Sequence, residues 1–264
     1  MRATLLACVA LLGLGACAGR REAARATPAA PALRVAISSN RPPYGFRQSG
    51  ELVGLEVDFA RELAAALGRR PDLVEMGWED LIPAVRDHRA NILMAGMTIT
   101  RARQVQIAFS DPYLRSGLLA VMRSEDVPRF RHAGNVLRTS EPVGVTAGTT
   151  AERFVREQVP GASVMVYPTP RAAMNELRQR RVALVVNDAP VAIWFAGGDE
   201  ANLGVLLELL DEEQIGWGLP RDDETLRSAV NEALARWRTD GTRDRILGRW
   251  VRYWQRLETQ PVSR

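Results

Sequence analysis

Gly96, Thr98 and Thr100 stand at alternate positions directly ahead of Arg103. A glycine lets a ligand approach the backbone, and hydroxyls and amides beside a guanidinium make a cradle for a carboxylate. Arg103 is the residue able to grip a carboxylate through two parallel N–H groups, with Thr98 adding a hydroxyl. Standing alone, Arg103 reads more readily as a solvated arginine at a helix start, and its setting reverses that reading toward a ligand contact. A second group, Gly148, Thr149 and Thr150, precedes a predicted helix, whose free N–H groups and dipole favour a negative charge. The two threonines also read as a simple N-cap, and both roles are compatible. Asp188 follows an apolar strand, at the carboxyl end where open α/β sheets place ligands, and reads alternatively as the start of a turn through Pro190.

The elements that must hold these residues alternate along the chain. Strands are expected at 33–38, 71–75, 92–96 and 117–122, with helices over 57–67 and 79–88. After Tyr113 a second set follows, with strands at 142–145, 163–167 and 183–186 and helices over 150–159 and 170–180. A return strand is expected at 214–220, then helices over 223–238 and 243–255, with Gly241 as a stop between them. This rhythm argues for α/β lobes with mostly parallel sheets.

Six segments in order resemble the family 3 extracellular solute-binding proteins, the polar amino-acid receptors of ABC importers. They are Leu33–Ile37, Leu52–Ala60, Trp78–Ala84, Gly96–Arg103 with Phe109–Tyr113, Val143–Thr150 and Val185–Asp188. The resemblance implies a two-lobe periplasmic binding protein fold (type II), with the ligand in the cleft. It also implies a chain that crosses to the second lobe after Tyr113 and returns late: lobe 1 as 33–115 with 216–258, lobe 2 as 116–215. In such a receptor Asp188 would accept a ligand ammonium and Trp78 would form one wall of the side-chain pocket, although Trp78 also reads as core. The implied partners are an amino acid or small carboxylate and an ABC permease in the inner membrane. The receptor is expected to be a monomer that needs no cofactor or metal.

The N-terminus indicates export. Arg2 precedes an apolar run from Leu5 to Leu14, too short to span a bilayer and the right length for a signal-peptide core. Leu14-Gly15-Ala16-Cys17 resembles a bacterial lipobox, implying lipidation of Cys17 and anchoring to a membrane. An ordinary secretory peptide with an incidental cysteine is the competing reading. The chain has 2 cysteines, Cys8 and Cys17, so no disulfide is expected in the mature body. Residues 18–32 read as a flexible tether and 259–264 as a tail. The net charge of +4 comes from dispersed arginines with no lysine, a compositional bias that does not point to nucleic acid.

Two departures from the family pattern bear on the ligand. An acidic residue and, three places on, an aromatic are usual after the first strand; the register puts Ser38 and Arg41 there. A slip of one would bring Ser39 or Asn40 inward instead. With Arg41 inward, two guanidiniums would face one carboxylate, and a ligand with an extra acidic group is expected. His88 and His132, among polar neighbours, are expected to face solvent. Two rival readings remain open: a cyclohexadienyl dehydratase-like enzyme using Asp188 or Glu79, and a sensor module without a transporter.

Overall fold

The computed structural model describes residues 30–259. The signal-peptide and lipobox expectations, and almost all of the tether and tail, lie outside the described residues. The first part of the chain forms β1 (Ala32–Ile37), three short strands β2 (Asn40–Arg41), β3 (Gly45–Gln48) and β4 (Glu51–Val53), α1 (Leu55–Ala66) and β5 (Arg70–Glu75). A 3-10 turn at Trp78–Asp80 leads into α2 (Leu81–Arg86), followed by β6 (Ile92–Thr98), α3 (Arg101–Gln104), β7 (Ala108–Phe109) and the long β8 (Leu114–Arg123). Then come α4 (Ala133–Leu137), β9 (Pro142–Thr146), α5 (Thr150–Gln158), β10 (Ser163–Tyr167), α6 (Pro170–Arg178) and β11 (Leu184–Asp188). The chain closes with α7 (Ala189–Gly197), β12 (Leu203–Val205), β13 (Asp211–Leu219), α8 (Glu224–Asp240), α9 (Thr242–Trp250) and α10 (Trp254–Thr259).

One continuous sheet runs β10-β9-β11-β8-β13-β6-β1-β5, and β2-β3-β4 form a separate antiparallel sheet. Its two halves share a plan: β5-β1-β6 are parallel on one side and β10-β9-β11 on the other. Parallel pairing is confined to these two triplets, because β8 and β13 run antiparallel to their neighbours. Only these two strands join the halves within the sheet. β13 pairs with β8 through residues 211–215 and with β6 from Ile215 to Gly218, while β8 pairs onward with β11 from Leu118 to Met122. Both strands therefore begin in one half and end in the other, which is how two lobes share a crossing. The α/β two-lobe periplasmic binding fold is the architecture observed.

Side-chain chemistry explains the helix starts around the cleft. Thr100, Thr149 and Thr169 each accept a hydrogen bond from the backbone N–H three residues on, capping α3, α5 and α6. Three details differ from expectation. The β2–β4 sheet is built from strands of two to four residues, too short to show a period. α7 is buried nearly all round, so it lacks the amphipathic stripe that would announce it. The last helix is two, α9 and α10, parted where Val251 is extended and Tyr253 adopts a φ of 60°. No helix among the described residues is long and apolar enough to cross a membrane.

Within the first half, Glu56 is sealed beneath the sheet at 0% exposure. It accepts from Gly96 N–H at 2.7 Å, Tyr113 Oη at 2.7 Å and Trp217 Nε1 at 2.8 Å. Phe59, Tyr113 and Trp217 enclose it with ring centroids 5.2–5.4 Å apart, pairs worth about 0.5–1.5 kcal/mol each beyond their burial. Burial pushes its carboxyl up to about 7, against the three donors that pull it down.

Candidate functional site

The end of β6 and the start of α3 place Thr98 and Arg103 at the seam between the halves. Arg103 is only 9% exposed. Its Nη1 turns back to donate to the Thr98 carbonyl at 2.8 Å, and its Nη2 donates across the seam to the Gly148 carbonyl at 3.3 Å. Trp78 Nε1 donates to the same carbonyl at 3.2 Å. Burial lowers the Arg103 pKa to about 10, with Glu213 and Asp188 opposing the fall, so the guanidinium stays charged at neutral pH.

Arg41, at the end of β2, reaches across to Asp188 at the end of β11. Arg41 Nη2 forms a short ion pair with Asp188 Oδ2, and the two residues are 3% and 1% exposed. The Arg41 guanidinium lies 4.5 Å from the centroid of the half-buried Trp78 ring, with Arg103 5.6 Å from the same ring. Tyr44 closes the other side at 5.9 Å. Asp188 Oδ1, Arg41 Nε and the Tyr44 hydroxyl, all buried, have no hydrogen-bond partner. Buried polar atoms without partners are costly, and their concentration in one cleft marks a place where something else can bind.

Several sequence expectations change in detail. Arg41 is buried, Asn40 exposed and Ser39 half-buried. Ser38 is buried, but its hydroxyl donates to Asn40 Oδ1 at 2.9 Å within the loop and not into the seam. Gly96 serves the core: at its φ of 66° a Cβ would stand 2.5 Å from the Tyr44 ring, so the space expected for a ligand is filled by Tyr44. The Gly148 N–H is already taken by Glu152 Oε2 at 2.8 Å, which leaves less of the α5 N-terminus for an incoming anion. Thr149 is the N-cap, and its hydroxyl also donates to the Thr146 carbonyl at 2.7 Å. His88 and His132 are mostly exposed, beside Asp222 and Glu208 respectively.

The charge count also needs correction, because sequence reasoning missed Glu213. It lies on β13, 5% exposed, and accepts from the Thr98 hydroxyl at 3.2 Å. Burial first, then the Asp188 charge, raises its carboxyl to about 8, opposed by the Thr150 and Thr98 hydroxyls and by Arg103. Two guanidiniums thus meet two carboxyl groups, not one. The missing signal was period-two alternation: Glu213 shares a face with Ile215 and Trp217, while Glu212 and Gln214 point outward. Beside Thr98, Thr150 and Glu213 opens a cavity of about 300 Å³. A second of about 390 Å³ lies at the rim, lined by Arg103, Gly148, Thr149 and Thr150.

The chain is similar in sequence and fold to known proteins. Residues 33–253 match the model of the bacterial extracellular solute-binding proteins, family 3. The L-cystine-binding protein TcyJ of Escherichia coli (strain K12) is 28% identical over 219 residues, covering 83% of this chain and 82% of that protein. The cyclohexadienyl dehydratase of Pseudomonas aeruginosa is 29% identical over 185 residues, covering 70% and 69%. An ancestral arginine-binding protein bound to arginine superimposes with a TM-score of 0.77 at 30% identity, covering 83% of this chain and 97% of that one. The chain belongs to the bacterial extracellular solute-binding proteins of family 3.

Proposed function

We propose that this chain captures a small polar solute, an amino acid or related carboxylate, outside the cytoplasm and delivers it to the permease of an ABC importer in the inner membrane. A lipid on Cys17 would hold it to a membrane as a monomer, and no cofactor is required. The reading takes residues 33–115 with 216–258 as one lobe and 116–215 as the other, closing about β8 and β13. The observation that carries it is Arg103, a buried and charged guanidinium whose two side-chain hydrogen bonds go to backbone carbonyls on opposite sides of the seam. Backbone carbonyls do not neutralise a guanidinium, so a carboxylate entering the seam gains a charge-assisted, two-point partner. Thr98, Thr150, Trp78, Arg41 and Asp188 surround that position. A ligand that touches both halves biases the hinge toward the closed form, which a permease can read.

A thermal-shift screen of the mature protein against amino acids and small carboxylic acids tests the reading. A ligand at a hundredfold excess over Kd stabilises by about 2.7 kcal/mol, and Arg103→Ala is expected to abolish the shift. A shift that survives Arg103→Ala would place binding elsewhere.

The dehydratase relative and Glu213 together favour one second reading. A carboxyl with a pKa of about 8 in a cleft is protonated at neutral pH and could act as a general acid. Product formation on incubation with prephenate or arogenate, lost in Glu213→Gln, would establish it.

A further inference from the structure

The ion pair between Arg41 and Asp188 occupies the acidic end of the cleft. These two residues are 147 positions apart and come from opposite sides of the seam, yet they form the most deeply buried ion pair among those described. Asp188 therefore already has its cation, and the chain itself supplies it. Arg41 is also held by the Trp78 face, the kind of surface on which a guanidinium is retained when desolvated.

An amino acid entering this cleft would bring an ammonium to a carboxylate that is already paired. It would have to displace Arg41, leaving a buried guanidinium without a counter-charge, or add a second cation to the same carboxylate through Asp188 Oδ1, or draw the proton off Glu213. Each carries a cost in a site screened from water that a ligand without an ammonium avoids. The net charge points the same way. Arg41 and Asp188 cancel, and Glu213 is held as the neutral acid near pH 7. Among the buried charged groups of the cleft Arg103 is left unmatched, with the exposed Arg153 at the rim, and one carboxylate satisfies it. The unpartnered atoms near the pair, Asp188 Oδ1, Arg41 Nε and Tyr44 Oη, are one acceptor, one donor and one hydroxyl able to do both. A neutral keto oxygen next to the carboxylate can accept from Arg41 Nε and the Tyr44 hydroxyl, and a hydroxyl there can also donate to Asp188 Oδ1, without adding charge.

Resting on the receptor reading above, we infer that the cleft takes small carboxylic acids without an ammonium group, such as 2-oxo and 2-hydroxy acids.

The test is calorimetric titration of the mature protein at pH 7 with matched pairs: pyruvate and alanine, 4-methyl-2-oxopentanoate and leucine, phenylpyruvate and phenylalanine, 2-oxoglutarate and glutamate. The expected result is at least tenfold tighter binding of the oxo acid in every pair that binds. Arg41→Ala, checked for folding by its circular dichroism, frees Asp188 and is expected to shrink or invert that ratio. Asp188→Asn is expected to leave amino acids excluded. Should Arg41→Ala fail to fold, the wild-type ratios decide. An amino acid binding as tightly as its oxo partner in the wild type overturns this inference and leaves the receptor reading standing. Absence of binding by every member of both series overturns both.

Discussion

Two clusters of buried polar side chains sit within this molecule, and they are built differently. Around Glu56, three donors from β6, the start of β8 and β13 converge on one carboxylate, and aromatic rings seal it. All three come from one half, and the carboxylate oxygens are both used. Around Asp188, the partners come from opposite halves, and three buried polar atoms near the ion pair go without partners. The first cluster holds Gly96 and the strand ends in register. The second spans the seam and is incomplete. A satisfied cluster inside one half stabilises a lobe, whereas an unsatisfied one between halves is available to a ligand and sensitive to how the halves sit.

The largest expected effect breaks the first cluster. Glu56→Leu would leave the Gly96 N–H, the Tyr113 hydroxyl and the Trp217 indole N–H unpaired in the core. At about 1–3 kcal/mol for each orphaned group, the loss of stability in urea unfolding is expected to be about 3–9 kcal/mol. A loss below about 1 kcal/mol would mean that the cluster is not the keystone described here.

A smaller effect separates the two clusters by pH. The carboxyls of Glu56 and Glu213 are raised from their usual value of 4.5 to about 7 and about 8. A group raised in the native state holds its proton more tightly when folded, so its stabilisation is full below about pH 4.5 and declines as pH rises through the folded value. Stability is therefore expected to fall between pH 5 and 8, by at most about 1.4 kcal/mol per pH unit for each group. Between pH 7 and 8 the Glu213 share dominates, and Glu213→Gln should nearly flatten the curve there and roughly halve the slope between pH 5 and 7. A wild-type stability that rises across this window would contradict the assignment.

Much of this was legible in the chain because it is local. The capping threonine Thr149, the apolar strand that begins at Ile92 and the helix stop at Gly241 each depend on a few neighbouring residues, and all appear where the sequence puts them. The hidden parts are long-range or unpatterned. α7 is apolar on all sides because it is enclosed, so nothing in its period distinguishes it. Gly96 looks like an opening for a ligand until Tyr44, 52 positions earlier, is found against it. Glu213 follows the strand alternation, but the return strand expected from Gln214 onward began one residue too late to include it. The pairing of Arg41 with Asp188 needs the tertiary fold, since no local rule links residues on opposite halves.

The most direct test of the central claim is a crystal structure of the mature protein with the tightest-binding solute from the screen. The expected result is ligand density in the seam, with a carboxylate on Arg103 and its remainder against Trp78, between Thr98 on one side and Thr150 and Asp188 on the other. Density that leaves Arg103 on the Gly148 carbonyl, and instead fills the apolar groove of about 340 Å³ beside Trp194 and Trp250, would contradict it.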